Sequence, residues 1–576
     1  MKFDLKKLLF AFFTFLSFLI YSKIIFSDKS YNILLFILFI AIYYFYCRFD
    51  YNCSKRSKIF AFATSIFISL PLSIGSVVSS YIYEPAVNIF TLKNILYFVI
   101  CYFGLIIFFN YLFKILFSNL NKVEIFEDSR DSSKKVFFRY FLIILVGYLF
   151  YFVRFFPAIM TPDSYYVLHY ANNFILSDFH PFVHTWFVGI FFHLGKFLFG
   201  NLTLAVGFTT FVQMSLLALI FSYGVYYFYK KGLNKKICLF LVLFFALHPL
   251  HAHYSITLWR DILFGGSFVI IFISLIEFLN NTKKNSKRYV FLFIVGIIVL
   301  LFFRNNGIYI YLFMVPFLIG VLKNNRIFIS SLCFSILIFY FVIKGPVFDH
   351  FNIKKTTSVE AYSIPLQQIS RVVASDRDIS NEDTKYLIKL FSNYDSINKI
   401  YNPVISDPIK NITSNDVLSE DKISFFKVWF NNFIKYPNVY VEAYFLQTLG
   451  YWYPDVIYWA TAGESTHIFD EEKVDTKPLT PSWYNSIIDL TISRNLPLCD
   501  ILWSVALPFL LICISSFMLC YMKKYKYLLC FVPLFGLWLS IMVATPVFCE
   551  LRYVYGLFTC FPFCLILPCF VREKNG

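Results

Sequence analysis

Long apolar runs alternate with short polar loops along most of this chain, and most runs fall in the roughly 17–25 residues that cross a bilayer. Fourteen membrane spans are predicted, at 7–26, 31–47, 59–80, 94–117, 138–156, 203–229, 237–255, 262–280, 289–303, 307–322, 327–344, 500–521, 527–545 and 553–571. The first follows Lys2, Lys6 and Lys7 as a signal peptide would, but no small-residue cleavage site comes after it, so a retained helix is expected. One hydrophilic stretch, 345–499, interrupts the pattern. It has helical periodicity of its own, at Ile364–Val373, Thr384–Phe391, Ser424–Tyr436 and Tyr440–Tyr451, with Pro403, Pro408 and Pro481 between elements.

The predicted fold class is therefore an all-α polytopic membrane protein with one mainly helical extracytoplasmic domain. Four units follow: a four-span region at 1–136, a membrane core at 137–344 with an outer loop at 157–202, the helical domain at 345–499, and a three-span region at 500–576. Composition agrees, with 59% hydrophobic and 15% charged residues. Most of the 13 cysteines lie inside apolar runs, where Cys acts as a small hydrophobe. No CxxC or zinc spacing is present.

Charge sets the expected orientation. The formal charge is +17, yet 345–499 holds 14 basic and 19 acidic residues, leaving 37 basic against 15 acidic elsewhere. Those cations cluster in short loops such as Arg48–Lys58, Lys122–Arg139, Lys230–Lys236, Lys283–Arg288 and Lys523–Lys526, and at the C-terminal Arg572–Lys574. Short basic loops stay on the cytoplasmic side. The basicity thus reads as topology, with no nucleic-acid motif beside it. Both termini are placed in the cytoplasm, 345–499 outside, and the protein in the plasma membrane as a multi-pass chain. The apolar segment 182–199 is left out of the count, because a crossing there would invert every later basic loop; a juxtamembrane helix is expected instead.

With this orientation the chemistry-bearing residues converge on the outer side. Asp163, Asp178, His180 and His184 lie in the first long outer loop, Arg260 and Asp261 at the start of a span, Arg304 and Asn305 in a tight turn, and Glu550 and Arg552 before the last span. A bilayer tolerates such a set only at its edge or in a wet cavity. Thr161 or Ser164 is expected to cap a helix with Asp163 in its first turn, where an ionised carboxylate can act as catalytic base on a hydroxyl. Capping alone would account for the same residues. His180 and His184, with Asp178, could bind substrate or a divalent metal, although the HExxH pattern is absent. Arg260, Arg304 and Arg552 suit a phosphate, with Asp261 orienting Arg260 or the acceptor; headgroup anchoring would also explain them.

These motifs, Pro162-Asp163-Ser164, His180-Pro181, Gly200-Asn201, Arg260-Asp261 and Glu550-Leu551-Arg552-Tyr553, together resemble the glycosyltransferase C superfamily, which includes protein O-mannosyltransferases and the aminoarabinose transferase of lipid A. The resemblance is clearest over about 138–320, and Pro365–Arg371 resembles an uncharacterised group of bacterial membrane proteins tied distantly to that superfamily. It implies a polyprenyl-phosphate sugar as donor and inverting transfer to a glycan or protein acceptor at the outer leaflet, with no resident cofactor. Asp163 would be the base, and Arg260, Arg304 and Arg552 would hold the departing phosphate. Two other classes share parts of the pattern. A lipid-linked glycan flippase would carry charges near the bilayer midplane and two repeated halves, whereas a polysaccharide polymerase or ligase would use a diphosphate-linked glycan.

Overall fold

The computed structural model describes residues 4–23, 32–48, 53–84, 87–127, 133–280, 286–354, 358–458, 478–493 and 499–573, together with Val474 and Thr476. Parts of the predicted first span and of the basic clusters Lys122–Arg139, Lys283–Arg288 and Arg572–Lys574 lie outside these residues. Among the described residues the chain is all helical, and its only β pairings are isolated bridges.

The principal helices before the insert are α1 (Leu5–Tyr21), α2 (Asn32–Arg48), α3 (Lys55–Val78), α4 (Leu92–Asn119), α5 (Lys134–Arg154), the short α6 (Pro162–Asn172), α7 (Phe182–Phe199), α8 (Leu202–Lys230), α9 (Lys235–Leu247), α10 (Pro249–Ser255), α11 (Arg260–Asn280), α12 (Ser286–Phe302), α13 (Gly307–Val321) and α14 (Arg326–Val342). The hydrophilic insert supplies α15 (Ser363–Ala374), α16 (Asn381–Leu390), α17 (Lys422–Lys435), α18 (Pro437–Thr448) and α19 (Ser482–Ile492). The chain then ends with α20 (Leu507–Tyr521), α21 (Val532–Val543) and α22 (Tyr555–Glu573).

A helix lies at each of the fourteen predicted spans. Nine helices among the described residues are long and apolar enough to cross a bilayer, and α9 with α10 forms a tenth candidate bent by 55°. This is the architecture of a multi-pass membrane protein. The bend falls at His248-Pro249, where proline forces the preceding residue out of helical geometry. Among the described residues, five of the predicted spans, α1, α2, α12, α13 and α20, extend over 15–17 residues. At 1.5 Å per residue they reach about 23–26 Å, short of a hydrocarbon core of about 30 Å. Conversely α7, set aside on charge grounds, is 18 residues long and passes by length and composition.

Burial orders the bundle. The apolar stretches of α11 and α22 are 89% buried, whereas that of α4 is 17% buried. α11 and α22 therefore form the centre, and α4 presents most of its surface outward. Lipid offers no hydrophobic drive for helices to associate, so close packing has to supply it. A Cβ on Gly265 would come within 2.5 Å of Tyr555, and one on Gly556 within 2.6 Å of Phe268, so these glycines let the two helices approach. Thr559 Oγ1 then donates to Gly265 O across the seam at 2.8 Å.

The insert has a core of its own, with Leu366, Ile369, Leu387, Leu390, Phe391, Ile409, Leu418 and Phe425 buried on facing amphipathic helices. Its helices occur at all four stretches that carried the periodicity. Ser380 caps α16 by accepting from Asp383 N, and Glu382 and Asp383 occupy the favourable first turn. A buried ion pair within the insert fastens it to the bundle through the backbone of the α3–α4 loop. Arg371 lies 3.2 Å from Glu442 and donates to Val87 O at 2.9 Å, while Glu442 Oε1 accepts from Ile89 N at 2.8 Å.

Candidate functional site

At one end of the bundle, seven chain segments bring ionisable groups together: the start of α6, the loop 177–181, the start of α7, the start of α11, the α12–α13 turn, the residues just after α14, and those leading into α22. Each is placed by local chemistry. Thr161 Oγ1 accepts from Ser164 N at 3.3 Å and Pro162 opens α6, so Asp163 stands in the first turn near free amide donors. Thr161 is itself held by Trp259 Nε1 at 2.6 Å, which ties α6 to the segment just before α11.

Arg552 donates through Nη1 to Asp163 Oδ2. Its Nε lies 3.5 Å from Glu550 Oε1, and its guanidinium lies over the rings of Trp259 and Tyr553, each 5.2 Å away. Arg304 stands 2.8 Å from Asp261, donates to Tyr553 O at 3.2 Å, and lies 4.6 Å over the Tyr553 ring. Tyr553 is thus shared by two guanidiniums. Arg260 donates to Phe179 O at 3.2 Å and, among the described residues, has no carboxylate ion-pair partner. On the far side, Lys344 Nζ reaches Asp178 Oδ2 at 2.6 Å and Asn305 Oδ1 at 3.1 Å, and Asn305 Nδ2 donates to Asp178 O at 3.2 Å.

His180 is buried and stacks on Tyr166 with ring centroids 5.8 Å apart, its Nε2 without a hydrogen-bond partner among the described residues. Both ring nitrogens of His184 are likewise without one, and its ring meets Phe303 edge-on at 5.6 Å. Buried polar atoms are nearly always satisfied in folded proteins, so orphaned imidazoles point to a ligand or water.

The electrostatics separate the carboxyls. Burial works against ionising Asp163, but Arg552, then Arg260 and His180, overcome it and bring the carboxyl down to about 2. Glu550 is pushed up to about 7, chiefly by burial, which outweighs the pull of Arg552; Asp261 and Asp163 add to the rise. His180 is lowered to about 4 by burial and by Arg260, so the imidazole is neutral at pH 7. Burial also lowers Arg304, with Asp261 opposing.

All nine residues singled out in the sequence, Asp163, Asp178, His180, His184, Arg260, Asp261, Arg304, Asn305 and Arg552, gather at this end of the bundle, with His180 and His184 beside the charged groups but not hydrogen-bonded to them. Two of the expected pairings differ. Asp261 faces Arg304 rather than Arg260, because the first turn of α11 points its second residue at the α12–α13 turn. Asp178 is engaged by Lys344 and by Phe182 N at 3.4 Å, instead of joining the two histidines. No group of three His, Cys, Asp or Glu able to hold a metal occurs among the described residues. Lys344 closes an apolar run, where a lysine reads as a boundary marker, so the sequence carries no signal for its contact with Asp178. Glu550 was visible only as a neighbour of Arg552.

The chain belongs to a family of unknown function (DUF6020), which matches residues 8–575. No curated protein and no solved structure matches it.

Proposed function

We propose that this family member is a membrane glycosyltransferase that moves a sugar from a polyprenyl-phosphate donor to an acceptor hydroxyl on the outer side of the bilayer. In this reading the fourteen helical stretches are spans around a glycosyltransferase C-like core, both termini are cytoplasmic, and the insert is extracytoplasmic. The observation that carries the reading is the pairing of Asp163 with Arg552 beside Arg260 and Arg304 at the ends of the membrane helices. A proton acceptor and a cationic anion site there occupy one small volume.

The chemistry balances without another reactant. Asp163 takes the proton of the acceptor hydroxyl while that oxygen attacks the anomeric carbon. The bond from that carbon to the lipid phosphate breaks, and the phosphate leaves with the electron pair. Fixed guanidiniums meet its charge, and Arg forks suit phosphate geometry. Asp163 at about 2 is a weak base while Arg552 holds it. A donor phosphate competing for Arg552 would remove that partner and raise the basicity of Asp163 as the substrate arrives. His180 and His184 offer neutral ring nitrogens to sugar hydroxyls.

The test is single-turnover transfer in membranes carrying wild type or Asp163→Asn, with a panel of radiolabelled polyprenyl-phosphate sugars. Transfer by wild type and a loss of 100-fold or more in the variant, at equal expression, is expected; removing a catalytic base costs about 10²–10⁴. Equal rates would remove Asp163 from the chemistry, and silence across the panel would refute the donor class.

A further inference from the structure

Glu550 ends a short strap, 544–550, that follows α21, and Arg552 stands in the helical turn Leu551–Val554 that carries the chain from the strap into α22. The strap has no regular structure to hold it, and what holds it comes from the insert. Gln447 Nε2 donates to Thr545 O at 2.6 Å. Ser406 gives both its N–H, at 2.9 Å, and its hydroxyl, at 3.0 Å, to Pro546 O. Phe548 N donates to Val404 O, and Gly450 N to Phe548 O, both at 2.9 Å. A Cβ on Gly450 would meet Cys549 Cβ at 2.3 Å, so only glycine lets this turn lie against the strap.

Tyr451 is the last of these contacts and the nearest to the charged groups. Its hydroxyl donates to Val547 O at 2.9 Å and accepts from Glu550 N at 3.1 Å. One buried oxygen therefore fixes the backbone on both sides of the turn from which the Glu550 side chain departs. Trp538 Nε1 in turn holds Tyr451 O at 2.8 Å, anchoring the residue to α21.

We propose that Tyr451, contributed by the insert, is a positioning residue of the anion site: its hydroxyl sets the strap so that Arg552 bridges Asp163 and Glu550. The insert then has a defined task, which is to hold the cation that the leaving phosphate needs. The ligand part of this inference rests on the polyprenyl-phosphate reading above; the strap itself does not.

The experiment compares wild type with Tyr451→Phe, which keeps the ring and deletes only the oxygen. Hydrogen–deuterium exchange reads the strap. Uptake over 545–555 should rise in the variant, with uptake over 363–390 in the insert core unchanged. Binding reads the site, using decaprenyl phosphate and, as the uncharged control, decaprenol, each in phosphatidylcholine nanodiscs. Affinity for the phosphate should fall about five-fold, the net scale of a single hydrogen bond, because the variant loses two contacts to the strap and none to the ligand itself, while decaprenol binding stays the same. A merely structural role would weaken both lipids together. Unchanged uptake at 545–555, or equal losses for the two lipids, would overturn the proposal. If wild type itself shows no preference for the phosphate, the donor reading fails, and the exchange data alone decide whether Tyr451 positions the strap.

Discussion

Replacing Glu550 by Gln tests whether a titrating carboxyl stands behind Arg552. The Glu550 side chain is 1% exposed. Burial lifts it to about 7 from an ordinary value of 4.5. At about 1.4 kcal/mol per pH unit that gap corresponds to about 3 kcal/mol. The sign follows from proton counting. Between pH 4.5 and 7 the folded protein keeps a proton that the unfolded chain has released, so stability falls as pH rises through this window and levels off above it. Gln fills the same space and cannot ionise. Its stability relative to wild type should therefore improve by up to about 3 kcal/mol between pH 4.5 and pH 8. Thermal unfolding of both proteins in detergent across that range gives the difference, and the infrared band of the protonated carboxyl gives the midpoint directly. Parallel stability curves, or a band that titrates in the usual glutamate range, would refute the assignment of Glu550 as a carboxyl held protonated by burial.

Two further outcomes are expected from the buried ion pairs. Arg304→Gln leaves Asp261, with only 2% of its side chain exposed, without its cation and should cost about 3–5 kcal/mol; adding Asp261→Asn should recover part of it, and no recovery in the melting temperature would mean that the pair is not coupled. Arg371→Met should cost about the same by stranding Glu442, whereas Arg371→Met with Glu442→Leu should regain most of it, because matched apolar groups replace buried pairs well. Limited proteolysis of the insert in the single and double variants reads the same coupling without a melt.

Much of the helical layout was legible in the sequence, because in lipid every backbone polar group must be satisfied inside its own segment. That constraint makes apolar length a direct readout of helices, and a helix lies at each of the fourteen runs. In the hydrophilic insert a different signal operates, the burial of one helix face in a local core, and its period-3.6 patterning marks α15 through α18. Candidate site residues were legible for a related reason: a charge is tolerated at a span end only if it serves something or reaches water, so Asp163, Arg260, Arg304 and Arg552 stood out.

What the sequence by itself determined, then, was which residues are polar where lipid makes polarity expensive. It did not determine which of them meet. Asp163 and Arg552 lie 389 positions apart, and their contact exists only because α6 and the strap before α22 reach the same end of the bundle. Partner choice was equally hidden: Asp261 meets Arg304 instead of its neighbour Arg260, since adjacent residues on a helix point in different directions. Lys344 and Tyr451 entered only with the tertiary structure. One looked like the end of an apolar run and the other like one more of 42 tyrosines, and their roles come from hydrogen bonds to residues far away in the chain. Local pattern records the cost of burial at a position; which partner offsets that cost is a property of the packed chain.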